Sequence, residues 1–186
     1  MLVHWIEPNA QFGRSVHFQL YFRPKEPNDV DYFTIHLNDQ KQRRASVGRR
    51  STKNEYLTLD PTVTDDQSIF HEILHIAGLL HEHQRPDRDV YVKIHDDDNI
   101  AYTDLKQFRK FKNTKTFGLD YDPTSIMHYH SFQGTLYPDD LSKPTITSTD
   151  QNVTNDMLGS SKIPNYNDFE KVRAYYNCPS VCKYHH

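Results

Sequence analysis

The chain has 186 residues, enough for one ordinary domain or two small lobes, and long enough to bury a core without disulfide staples. A hydrophobic share of 35% with twelve Tyr and ten Phe excludes a disordered tail, and with a net charge of -3 and interspersed charges nothing points to the strongly basic face of a nucleic-acid binder. No apolar run approaches the roughly eighteen residues of a membrane span, and residues 1–8 lack the charged-then-apolar build of a signal peptide.

Residues 16–22 and 31–37 are rich in β-forming side chains and are separated by Pro24 and Pro27, which predicts two strands. Residues 41–50 are basic and contain Gly48, a pattern that suits an exposed edge strand or loop. Residues 55–59 read as a further short strand. The segment 64–67 then fits a capping box between Thr64 and Gln67, so a helix is expected to follow. Its apolar positions are Ile69, Phe70, Ile73, Leu74, Ile76 and Ala77, and Gly78 is a natural stop. Beyond Gly78 the chain reads as mostly irregular until a capped amphipathic helix over 167–176. The order sheet, helix, loops, helix is an α+β fold. The only cysteines, Cys178 and Cys182, are too close in sequence to hold a domain together and leave the redox compartment open.

Chemistry concentrates on the first helix. His71 and His75 are four apart, which places both imidazoles on one helix face about 5–6 Å from each other, within reach of a single zinc. His81 could join them only if the chain turned, because ten more helical residues would carry it roughly 15 Å along the axis from His71. Gly78 can make that turn, since it adopts positive φ without a Cβ clash. Glu72, beside His71, is best placed as the carboxylate that deprotonates a metal-activated water. Accident is the rival explanation. His-Glu-x-x-His alone would arise in roughly one in forty chains of this composition, and adding Gly78 and His81 at their offsets lowers that to about one in twenty thousand. The cluster therefore reads as a metal site for peptide hydrolysis, with one Zn2+ per chain.

Residues 71–89 resemble the extended zinc signature of the astacin family, HExxHxxGxxHExxRxDR, and match it at every specified position. Residues 121–129 are similar to the Met-turn segment of that family. Residues 46–49 resemble its edge-strand motif, and the similarity runs from about Val16 to Cys178. The resemblance implies a metzincin-like fold with a mixed N-terminal sheet, an active-site helix and an irregular C-terminal lobe. It implies an N-terminal lobe over about 1–80 and a C-terminal lobe over about 81–178, with the cleft between them and a tail at 179–186. It makes Met127 a supporting methionine and Tyr129 a switchable zinc ligand whose hydroxyl serves the oxyanion. Glu82 anchors the mature N-terminus in the family; read without the resemblance it is a solvated carboxylate or a partner of Arg85 or Arg88. His83, His128 and His130 are expected not to be ligands.

The function so implied is a zinc-dependent metalloendopeptidase acting on protein or peptide substrates, from a family that is secreted. The resemblance also marks departures. Only Cys178 looks like a family cysteine, its expected partner near Ser46 is absent, and the strand and most of the long helix that precede Val16 in relatives are missing. The chain is thus expected to be less stable than its relatives and to lean more on zinc for folding. The alternative reading is a catalytically weak or inactive zinc-binding or partner-binding module.

Overall fold

A computed structural model describes residues 2–4, 21–30, 32–38, 43–48, 55–62, 65–96 and 99–177. Two compact units make up the chain: Met1–Leu79 with Glu170–His186, and Leu80–Phe169.

The first unit holds β1 (Leu2–His4), β2 (Tyr21–Arg23), β3 (Phe33–Leu37), β4 (Arg44–Ala45), β5 (Glu55–Leu59) and α1 (Asp66–Ile76). β1 and β2 form an antiparallel ribbon whose backbone register pairs Val3 with Phe22. The sequence reading had no strand ahead of residue 16; Leu2–His4 is too short for an alternating pattern to be seen. The expected strand over 16–22 is represented by Tyr21–Arg23, residues 16–20 lying outside the described residues. β5 runs parallel to β3, pairing Ile35 with Leu57, and antiparallel to β4, pairing Ala45 with Leu57. This mixed sheet has the order β3-β5-β4, so β4 is an edge. Alternation along β3 and β5 turns Phe33 and Leu57 to one face, where they meet Ile76 of α1 with Ile35, Ala45 and Leu59 around them. The helix is thereby laid on the sheet by apolar burial.

At its start, α1 is capped by Asp65, whose carboxylate accepts the Ser68 N–H at 2.8 Å. The expected Thr64–Gln67 box is thus displaced by one residue. An aspartate in the N-cap position satisfies the N3 donor directly and adds negative charge at the positive end of the helix.

The end of α1 follows the sequence reading closely. The Gly78 N–H donates to His75 O at 2.9 Å and the Leu79 N–H to Leu74 O at 3.0 Å, the two bonds of a Schellman reversal. Gly78 has φ +101, and a Cβ there would meet the Tyr175 ring at 2.9 Å. Leu74 and Leu79 are both buried, giving the reversal its apolar contact.

The second unit is mostly loops and single 3-10 turns. Its regular pairing is the antiparallel ladder of β6 (Val92–Ile94) and β7 (Ile146–Ser148), which the sequence reading left as irregular. Val92, Ile100, Phe108, Tyr121, Ile146 and Leu158 form the core of this unit. The last helix, α2 (Tyr166–Tyr175), begins one residue earlier than expected. Asn165 Oδ1 accepts from Asp168 N and Asp168 Oδ2 accepts from Asn165 N, each at 3.0 Å, so the cap is a reciprocal one built on Asn165. Among the described residues no helix is long and apolar enough to cross a membrane.

Replacing Gly78 by Ala should cost about 1–3 kcal/mol, because the new side chain inherits a left-handed backbone and a ring in its path. Denaturant unfolding measures this as a lower midpoint at unchanged slope.

Candidate metal centre

His71 and His75 project from successive turns of α1 with ring centroids 4.7 Å apart, set edge to face. After the reversal at Gly78, His81 brings a third nitrogen to within 4.8 Å of the other two. His71, His75 and His81 each offer one donor, and among the described residues they are the group of this kind that could hold a metal ion. The long-helix geometry that would have separated His81 from the pair is thus avoided by the turn the glycine makes.

The ring orientations are held by hydrogen bonds. His75 Nδ1 lies 2.7 Å from Leu79 O. A carbonyl only accepts, so Nδ1 carries the proton and Nε2 keeps its lone pair for a metal. Leu79 O comes within reach of that ring because the Schellman turn folds it back over the helix end. Burial, helped by the neighbouring His71, holds the His75 pKa down to about 3, so the imidazole is neutral as a ligand must be. His81 Nδ1 is 3.0 Å from Gln84 Oε1, while Gln84 Nε2 donates to Gln107 O at 2.8 Å, which fixes the amide orientation. His81 therefore also presents Nε2.

Glu72 is buried, and its Oε2 has no hydrogen-bond partner. Burial pushes its carboxyl up to about 7, against a smaller opposing effect of Arg43. A carboxyl group left desolvated between two histidines is costly as a structural element and suited to proton transfer. Three imidazoles with this carboxylate beside them fit the donor chemistry of a zinc site in which three protein ligands leave a position open.

The segment after the third ligand is fastened by Arg85. Its guanidinium donates to Asp87 through Nε and Nη2, to Glu82 Oε1 and Asp120 O through Nη1, and to Leu119 O through Nη2. Glu82, almost fully buried, also accepts the Asp122 N–H at 2.9 Å, and its own N–H donates to Met127 O at 2.9 Å. The structure contains the expected pairing of Glu82 with Arg85. Met127 is fully buried, and its N–H donates to Ser125 Oγ. Residues 127–129 are backed by Gly159, at φ +64, where a Cβ would lie 2.5 Å from His128 O.

Tyr129 stacks on His83 with centroids 4.1 Å apart and lies 4.6 Å from the His81 ring. Its hydroxyl donates to Gln107 Oε1 at 2.8 Å. His83 contacts Gln107 O through Nε2, and His128 bridges the Tyr121 hydroxyl and Tyr129 O, so both are used within the protein framework. Gln84 and Gln107 were missed by the sequence reading. Gln84 occupies an unspecified position of the signature, and Gln107 lies outside it; the relevant signal was an amide three residues after a ligand histidine, legible only once a 3-10 turn over Glu82–Gln84 is known.

The family model described as Astacin, a peptidase family, matches residues 15–177. The chain belongs to the astacin family. Zinc is the metal of that peptidase family, and the triad is positioned to bind it. The chain is 32% identical over 161 residues to zinc metalloproteinase nas-5 of Caenorhabditis elegans, covering 81% of this chain and 42% of that protein. It is 39% identical over 114 residues to astacin-like metalloendopeptidase of Gallus gallus, covering 59% of this chain and 25% of that one. The chain thus spans less than half the length of these two relatives. The solved structure of high choriolytic enzyme 1, a hatching enzyme zinc-protease from Oryzias latipes, superposes with a TM-score of 0.70 at 26% identity, covering 84% of this chain and 74% of that one. That likeness accords with the α+β, metzincin-like architecture.

Elemental analysis of the purified astacin-family chain should find about one zinc per molecule. The double variant His75→Ala with His81→Ala should lose it, and full retention of metal by that variant would remove the triad from consideration.

Proposed function

We propose that this chain is a zinc endopeptidase that hydrolyses internal peptide bonds of protein substrates at His71, His75 and His81. The observation that carries this reading is a donor triad accompanied, one residue along α1 from His71, by a buried carboxyl group with an unpartnered oxygen. Zinc in that position supplies a Lewis acid for the scissile carbonyl and a water acidified to a pKa of roughly 7. Glu72 takes the proton of the attacking water and passes it to the leaving amine. A carboxyl poised near neutrality can do both, being neither too weak a base nor too weak an acid. Tyr129 is the switchable ligand, and its hydroxyl donates to the oxygen on which negative charge develops.

The substrate is held in extended form as an added strand on β4, which stands at one end of the order β3-β5-β4 among the described residues. Ser46 continues this edge: its N–H donates to Tyr56 O, and its hydroxyl accepts the Tyr56 N–H. Arg49, the end of the expected motif, lies outside the described residues. Family membership supports an extracellular site of action.

Cleavage of an unfolded protein, lost on chelation and restored by zinc, is the direct test. A zinc-loaded chain that cleaves nothing would instead indicate a zinc-binding or partner-binding module. Glu72→Ala should keep the metal and lose nearly all hydrolysis, since it removes a proton carrier and not a ligand; near-native turnover would sink the mechanism. Tyr129→Phe should fold normally and turn over about 10²–10³-fold more slowly, the usual effect of deleting one oxyanion donor, as read by steady-state kinetics.

A further inference from the structure

We propose that Gln107 is an alternative partner of the Tyr129 hydroxyl, a positioning residue that competes with metal and substrate for that group. The inference rests on the reading of Tyr129 as a switchable ligand and oxyanion donor. A phenol has a single proton to donate, and the structure gives it to Gln107 Oε1 at 2.8 Å. While that bond stands, the proton is not available to a developing oxyanion.

Gln107 is well held for this task. Its Nε2 donates to Asp104 Oδ1 at 3.0 Å, which fixes the amide so that oxygen, not nitrogen, meets the hydroxyl. Its backbone carbonyl receives both His83 Nε2 and Gln84 Nε2, and Gln84 in turn orients His81. Gln107 sits on the 3-10 turn Leu105–Phe108, which is anchored by buried Phe108, and Phe111 N–H donates to Gln84 O at 2.9 Å. The side chain that docks Tyr129 is therefore mounted on the same frame that orients the third histidine. The Tyr129 ring is guided by His83, on which it stacks, and by Phe108, edge to face at 5.9 Å, so the hydroxyl can leave Gln107 without loss of the ring's packing.

The bond is solvent-exposed, so its strength is modest and its removal should change the free fraction of Tyr129 by roughly two- to tenfold. Gln107→Leu removes the acceptor and leaves the backbone carbonyl that holds His83 and Gln84. Gln107→Glu keeps an acceptor. The probe is Cu2+ in place of zinc, with the tyrosinate-to-copper charge-transfer band as the readout of Tyr129 on the metal. Gln107→Leu is expected to strengthen the band about two- to tenfold over wild type, Gln107→Glu to leave it at or below wild type, and Tyr129→Phe to abolish it in every background. A band that depends on Tyr129 but is the same in wild type and Gln107→Leu overturns the role of Gln107 and leaves the function of Tyr129 standing. If no band depends on Tyr129 even in Gln107→Leu, the reading of Tyr129 as a ligand fails, and this inference fails with it.

Discussion

The reversal at Ala77–Leu79 is the constraint on which the centre depends. Helical continuation would carry each later side chain steadily away from His71, so a third ligand nearby in sequence requires the backbone to turn at once. Two N–H groups close the turn on His75 O and Leu74 O, and the left-handed residue between them has to be glycine for two reasons: its φ, and the Tyr175 ring beside it. The same turn serves the second ligand. It returns Leu79 O to His75 Nδ1, so one backbone event both admits His81 and selects the tautomer of His75. His75 O accepts a further N–H from Gly48, just beyond β4, so the proposed peptide-binding edge is registered against the helix that carries the ligands.

Polar burial downstream of His81 has a different logic. Arg85 has five N–H donors, and all find acceptors in two carboxylates and two carbonyls. A planar fork satisfied on every arm fixes the segment after the ligand more tightly than an apolar contact would, because each acceptor must lie in the guanidinium plane. Lysine could not replace it, having three donors on a point charge.

What was legible in the sequence was what short-range physics decides. The Glu55–Leu59 strand, the helix from its apolar positions, the stop at Gly78 and the triad all follow from neighbours a few residues apart. The cap moved from Thr64 to Asp65 because two adjacent acidic residues and a threonine compete for one position, and the winner depends on where Ser68 N–H points. β6 and β7 were invisible for a different reason: three residues each show no alternation, and they pair only because distant segments meet. Gln107 is the extreme case. Its side-chain amide and its carbonyl matter through Tyr129, Gln84 and His83, and nothing in the local pattern around an exposed glutamine records those partners.

That contrast between near and far has a consequence for assembly. The ligands occupy one uninterrupted stretch from His71 to His81, so gathering them closes only a short loop and forfeits little chain entropy. The ladder between Val92–Ile94 and Ile146–Ser148 closes a far longer one. Gathering the histidines is accordingly the cheaper of the two closures in chain entropy. A substitution at Gly78 therefore acts on the short, local closure, and one in the ladder on the long, distant one.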